Sequence, residues 1–379
     1  MTRPYDVAVI GTGMLGAPAA YRLARAGRRV IALEARAPAE GTSGSSFAWI
    51  NAVRKEPEAY HRLNADGVAQ YDGLADELGA DIGYVGGGCL EWAGADGEQD
   101  ELRERVARLA GRGYPAEWLD RAAALEIQPN LAIGSGTRGV AFYPRTGWVD
   151  APRLIRAFLQ LAVANGAEVR PRTPARSLRV RADRITCITT DQGDVLAGEV
   201  LVAAGTATPD LLEPLGVTLP VRRVPGLLAV TSPPDEPLTR VVYAPGVHLR
   251  PDVSGGLLLG APDVDRLVTE ETRLDTAAGL AQPLLDRARQ VFPPARSVHP
   301  VAVRIGIRPV PADGHTIGGR VPGFRNAWVL VTHSGITLGP LLGRLIAAEI
   351  TGGAPSPQLA PFRPDRFAGS VLDRSRSAR

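Results

Sequence analysis

The sequence predicts an α/β protein in which a parallel sheet is assembled from separated stretches of chain and a β-rich block is inserted in two pieces. Three observations lead there. A strand–helix–strand pattern opens the chain, short apolar strands recur at 199–204 and 327–331, and antiparallel strand patterns fill 221–260.

Residues 6–10, DVAVI, form a continuous apolar run ending at Gly11, as a strand buried on both faces requires. Residues 14–26 follow with helical spacing and stop at Gly27, and 30–33 form a second strand closed by Glu34. A small-residue loop, 41–46, precedes one long amphipathic helix expected over 58–78. Residues 82–148 mix short strands with helical pieces near 100–111 and 121–126. A helix is expected over 152–165 with Pro152 in its first turn, then a hairpin from 178–180 and 184–190. The strand 199–204 ends at Gly205. Beyond 221–260 come a helix over 275–291, a strand at 304–307, and the strand 327–331, which runs into Gly335 and a helix ending near Ile350. From Gly352 the chain is rich in Pro and Arg, with fraying expected after residue 368. Segments 1–80, 145–215 and 305–355 are therefore expected to build the parallel-sheet domain, 81–144 and 216–304 the inserted domain, and 356–379 a C-terminal tail.

Composition excludes several functions. With 379 residues, 45% of them apolar, the chain can bury a sizeable core. A net charge of +3, scattered arginines and few aromatics argue against a nucleic-acid surface. No apolar stretch approaches a membrane span, and the first residues lack a signal-peptide core. Cys89 and Cys187 show no CxxC spacing, so two reduced thiols in a cytoplasmic protein are expected. No metal-ligand cluster stands out, and no metal is expected. Lys55 is the only lysine, so no lysine can serve a reactive centre unless Lys55 does. The oligomeric state is not set by any of this.

Residues 11–16, GTGMLG, match G-x-G-x-x-G in the right context: a strand before, a helix after, and Glu34 placed 18 residues beyond the last glycine. Gly11 permits the tight turn, Gly13 lets a pyrophosphate approach the backbone, and Gly16 lets helix and strand pack closely. The helix N-terminus offers free N–H groups to phosphate, and Glu34 suits ribose hydroxyls. This is a Rossmann-type dinucleotide site, and the fingerprint alone does not separate FAD from NAD.

Further short motifs share an order along the chain: TSGSS at 42–46, FYPRTGWVD at 142–150, VAAG at 202–205, GIRP at 306–309 with Asp313-Gly314, and HSGITL at 333–338. On these the chain resembles the D-amino-acid oxidase, glycine oxidase and sarcosine oxidase family of flavoproteins, with the glycine oxidase branch nearest. The resemblance implies a Rossmann-type FAD-binding domain carrying an inserted β-rich substrate-binding domain. It implies that Met14 and Leu15 lie at the pyrophosphate turn, Glu34, Ala35 and Arg36 at the adenosine ribose, and Ala175 at adenine. Thr42, Ser43 and Ser46, then Phe47, Ala48 and Trp49, would flank pyrophosphate and isoalloxazine, with Gly205 on the same wall. Gly335, Ile336, Thr337 and Leu338 would run beneath the flavin pyrimidine, where helix N-terminal amides stabilise negative charge on the reduced ring.

For the substrate, the resemblance implies that Arg308 grips a carboxylate, and its guanidinium fork suits that job. His333 aligns near a second arginine of glycine oxidase and is a substrate contact, part of the wall, or a structural histidine at a strand end. Gly306 fills the place where sarcosine oxidases carry a flavin-linked cysteine, so FAD is expected to be non-covalent. Asn51 stands where those enzymes have an arginine, and their oxygen-activating lysine has no counterpart here. Trp49 and Tyr243 are either pocket walls or core aromatics, and no role is assigned to His248, Arg250 or His315. The implied activity is oxidation of a small amino acid, or a secondary amine carrying a carboxylate, by hydride transfer from the carbon beside nitrogen. The resulting imine hydrolyses to an oxo acid and an amine, and oxygen is the expected electron acceptor. A D-amino-acid dehydrogenase using another acceptor, an NAD-linked dehydrogenase and a flavin-binding protein without activity remain open.

Overall fold

The structure, a computed structural model, describes residues 4–368. Its centre is a six-stranded sheet in the order Ile317–Arg320, Ala327–Val331, Ala197–Val202, Tyr5–Ile10, Val30–Leu33, Glu168–Arg170. All neighbours are parallel except Ile317–Arg320, which pairs antiparallel with Ala327–Val331. The strands Val30–Leu33 and Ala327–Val331 are buried at every position, which explains their unbroken apolar sequence.

Helices Gly16–Arg25, Ala151–Ala164 and Gly335–Ile350 pack beside this sheet. Asp150 caps the second of them, accepting from Arg153 N–H at 3.1 Å, with Pro152 in the first turn. The third meets the chain at the start of the first backbone to backbone: a Cβ on Gly339 would fall 2.1 Å from the Met14 carbonyl oxygen. Leu341, Leu342 and Ile346 of that helix are fully buried, each contributing about 1.5–3 kcal/mol by removal from water.

A second sheet has eight strands in the order Pro300–Pro311, Val221–Thr231, Leu257–Gly260, Val247–Pro251, Val241–Ala244, Cys89–Glu91, Val140–Tyr143, Glu117–Leu119. Only the Val241–Ala244 and Cys89–Glu91 pair is parallel. A small sheet of Trp49–Ile50, Gly147–Val149 and Tyr84–Val85 lies between the loop at 41–50 and the helix that begins at Ala151. No helix among the described residues is long and apolar enough to cross a membrane.

Several expected elements differ in detail. The helix expected over 58–78 is two, Glu58–Ala69 and Leu74–Leu78, because Gly73 takes φ +76° and turns the chain between them. The helix expected over 275–291 is likewise broken, by a 3-10 turn over Ala278–Leu280. The strand expected at 304–307 spans Pro300–Pro311, so residue 305 falls inside a strand of the eight-stranded sheet. After Gly352 the chain docks through buried Leu359 and Phe362 and the Arg363–Glu349 pair at 2.8 Å. The fraying expected after 368 lies outside the described residues.

The Gly16 contact yields a test. A Cβ there would lie 1.8 Å from the Gly11 carbonyl oxygen, in backbone that cannot yield. Gly16→Ala should cost at least about 1–3 kcal/mol of stability, read as a lower melting temperature, whereas Gly41→Ala, with open space around it, should melt as the parent does.

Candidate active site

A cavity of about 1130 Å3 opens between the two large sheets. Residues at or just beyond the C-terminal ends of four parallel strands line it: Ile10 and Gly11, Leu33 and Glu34, Ala203 to Gly205, and Thr332. This is where open α/β sheets present their ligand crevice.

At one end lies the fingerprint turn. Gly11, at φ +96°, and Gly13, Met14 and Leu15 line the cavity. Gly16 does not; its contribution is the close packing just described. Met14 N–H donates to Ser43 Oγ at 3.2 Å and ties the 41–46 loop to the turn. The Glu34 carboxylate lines the cavity while accepting from Thr12 N–H and Oγ1–H, both at 2.9 Å, and from Arg36 N–H at 3.0 Å. Those bonds fix its orientation and leave acceptor capacity for hydroxyls. Ala35, Arg36, Ala175 and Gly205 also line the cavity.

Thr42, Ser43, Ser46, Phe47, Ala48 and Trp49 line its middle. Ala48 holds φ +56°, uncommon without glycine, and its N–H donates to Ser46 Oγ at 3.0 Å. Gly335, Ile336 and Thr337 line the cavity as the first turn of helix Gly335–Ile350, so free N–H groups and the positive end of the helix dipole face it. Leu338, expected beside them, is fully buried and does not line the cavity, because the next step of the helix turns its side chain into the core.

The far end is aromatic and basic. Tyr243 stacks on His248, with ring centroids 4.9 Å apart, and packs against Trp49 at 4.6 Å; Phe47 meets His248 edge-on at 4.6 Å. Trp49 and Tyr243 are thus walls of the cavity, and His248 joins them. Arg308 lines this end but is already engaged: Nη2 pairs with Asp265 at 2.9 Å and donates to the Pro225 carbonyl at 2.6 Å. His333 lines it too. Arg250 does not; it is buried, with its guanidinium 4.4 Å from the Trp148 ring centroid. His315 lies outside as well, its Nε2 2.9 Å from the Glu56 carbonyl oxygen.

Two cations were not expected here. Asn51 does line the cavity, but Arg54 and Lys55 follow it on the same loop and supply positive charge. Lys55 is the one lysine that could reach such a centre, and it lines the cavity. Its Nζ donates to Ser334 Oγ at 2.8 Å, and burial pulls its pKa down to about 8. Being the only lysine in an arginine-rich chain was its one sequence signal. Arg54 is held by buried Glu91, which also pairs with Arg105 at 3.0 Å. Asp265 carried no signal at all, since it reaches Arg308 from the end of helix Pro262–Asp265, where it also accepts from Leu227 N–H at 2.9 Å.

Burial, reinforced by neighbouring cations, lowers His248 to about 3 and His333 to about 4. Both imidazoles are neutral at physiological pH, so they can donate or accept one hydrogen bond without adding charge. Unfolded histidine takes up its proton near 6.5, above these folded values. Each site therefore withdraws stability as pH falls from 6.5 towards 4 and has no effect above. Melting curves between pH 8 and 5 should show a smaller acid loss for His333→Asn than for the parent; identical losses would mean that His333 protonates normally.

A Rossmann-type sheet whose strand ends open on a cavity capped by a second, antiparallel sheet describes a dinucleotide-dependent oxidoreductase. A family model described as FAD dependent oxidoreductase (DAO) matches residues 6–349. Glycine oxidase of Geobacillus kaustophilus is 31% identical, over 98% of this chain and 99% of that protein. Its crystal structure superposes with a TM-score of 0.88 at 30% identity, covering 96% of this chain and 99% of that one. Glycine oxidase of Pseudomonas aeruginosa is 29% identical, over 94% of this chain and 98% of that protein. The chain belongs to the FAD-dependent oxidoreductase family, and FAD is its cofactor. The choice between FAD and NAD that the fingerprint left open falls to FAD.

Proposed function

We propose that this protein oxidises the C–N bond of a small amino acid or an N-substituted glycine. The observation that carries the reading is the arrangement of Arg308, Arg54 and Lys55 around the end of the cavity opposite the nucleotide turn. A carboxylate is the group such a surface selects.

The residues present fit FAD. The cavity is continuous from Glu34 to Thr337, and the turn at Gly11 has no room for a Cβ, which would meet the Ala203 carbonyl oxygen at 2.5 Å. Gly11, Gly13, Met14, Leu15 and Ser43 would hold the pyrophosphate, Glu34 to Arg36 and Ala175 the adenosine, and Phe47 to Trp49 with Gly335 to Thr337 the ring system. When bound, FAD supplies a two-electron acceptor. Attachment is read as non-covalent: Gly306 offers no side chain, and neither cysteine lines the cavity.

Arg308 would hold the substrate carboxylate chiefly through Nη1, since Nε donates to the Val224 carbonyl at 3.3 Å and Nη2 is held by Asp265 and the Pro225 carbonyl. The neutral imidazoles of His248 and His333 would tolerate a neutral amine, and the Trp49, Tyr243 and Phe47 rings would exclude water around the C–H bond that breaks. Catalysis is then orientation and electrostatics, with no dedicated base. Hydrolysis of the imine gives an oxo acid and an amine, and oxygen takes the electrons. Buried, unpaired Cys89 and Cys187 agree with a cytoplasmic location. The division into an FAD-binding domain of 1–80, 145–215 and 305–355 and a substrate domain of 81–144 and 216–304 follows the two large sheets, apart from the strand that crosses residue 305.

Under anaerobic conditions glycine, sarcosine or a small D-amino acid should bleach the flavin, and in air the turnover should release peroxide. Arg308→Ala should raise the apparent Kd of a carboxylate-bearing amine by roughly thirtyfold or more, matching about 2 kcal/mol for a lost charged contact. Amines without a carboxylate should change far less. Equal losses on both would remove Arg308 as the anchor.

A further inference from the structure

The basic end of the cavity is not balanced charge for charge. Arg54 has Glu91 and Arg308 has Asp265. Lys55 has only uncharged partners: Nζ donates to Ser334 Oγ at 2.8 Å and stands 5.9 Å from the Tyr60 ring centroid, while Tyr60 OH donates to the same Ser334 oxygen at 3.0 Å. Among the described residues no carboxylate pairs with Lys55, and burial alone shifts its pKa, with no acid opposing. A shielded ammonium without an anion is costly unless a ligand brings one.

Lys55 and Arg308 enter from different walls. Arg308 stands on strand Pro300–Pro311 of the eight-stranded sheet. Lys55 stands on the loop before helix Glu58–Ala69, against the first turn at Ser334. His333 feels both cations, and His248 feels Arg308 and Arg54. The cavity therefore has two positive poles with uncharged imidazoles nearby.

We propose that Lys55 is a second anion site, so that the preferred substrate is an amine with two carboxylates, one held at Arg308 and the other at Lys55. This rests on the amine-oxidation reading above. From iminodiacetate one methylene hydrogen would leave with its bonding pair to the two-electron acceptor that FAD supplies when bound, as the nitrogen lone pair closes the C=N bond. Water then adds at that carbon, C–N breaks, and glyoxylate and glycine leave. A second carboxylate on the amino acid side chain, as in D-aspartate, would use the same two poles.

The test compares matched pairs on the FAD-loaded protein. Anaerobic flavin reduction is measured with iminodiacetate against sarcosine and with D-aspartate against D-alanine. Binding of the inert pair diglycolate and methoxyacetate is followed by the shift of the flavin spectrum. In the parent protein the dicarboxylate of at least one reacting pair, and diglycolate, should bind at least tenfold tighter. Lys55→Met should bring those ratios close to one, and Lys55→Arg should keep most of them. The pair that carries the preference tells whether the second carboxylate sits on the nitrogen substituent or the side chain. The parent ratio should also fall as pH rises past about 8, as Lys55 loses its proton. The charged and titratable groups around it are Tyr60, His333, Arg308, Arg54 and Glu56, with His315 beyond Tyr60. Ratios near one in the parent protein, or ratios unchanged in Lys55→Met, would overturn the second anion site. If no amine reduces the flavin while diglycolate still binds tightly through Lys55, the oxidation reading fails and the anion site stands.

Discussion

Backbone lying against backbone is the constraint on which this molecule depends. The helix that starts at Gly16 reaches the fingerprint turn only because nothing projects from that residue, and the helix that starts at Gly335 reaches Met14 only because nothing projects from Gly339. Both helices then direct their N-terminal ends towards one cavity. Free N–H groups and aligned dipoles there favour negative charge, such as a phosphate at one end and a reduced flavin ring at the other. Side chains at these crossings would push the helices apart and remove the cradle, whatever the remaining core contributed.

Charge is distributed differently at the opposite end. Arg54 and Arg308 are each restrained by an acid, so their guanidinium groups are oriented before any ligand arrives. Desolvation keeps His248 and His333 uncharged. That leaves a stiff, cationic, largely aromatic recess whose geometry requires little reorganisation on binding. Lys55 differs from the arginines in having only uncharged partners, the Ser334 hydroxyl and the Tyr60 ring, which makes it the side chain most responsive to an incoming anion.

How far the sequence revealed this followed the range of the interactions. The opening strand–helix–strand unit, its glycines and Glu34 were legible because the features that define them lie within a few turns of one another. The helix beginning at Gly335 was legible for the same reason. Gly73 breaks the expected long helix, and the helical spacing on either side of it masks the φ of +76° that glycine permits. The substrate end was harder to see. Arg308 stood out only through a family motif, and Asp265 reaches it from helix Pro262–Asp265 through tertiary packing that no local pattern encodes. Lys55 was visible as an isolated lysine, but its place in the cavity depends on how the loop at 51–57 folds against Ser334. Leu338 was placed one residue too far along a helix whose exposed face had already turned away.

The claim most open to direct test is that the cavity holds FAD without a covalent bond. The purified protein is denatured with acid, and the visible absorbance of pellet and supernatant is compared. A yellow protein that releases FAD entirely to the supernatant is expected. A colourless protein, or colour that stays with the pellet, would contradict it.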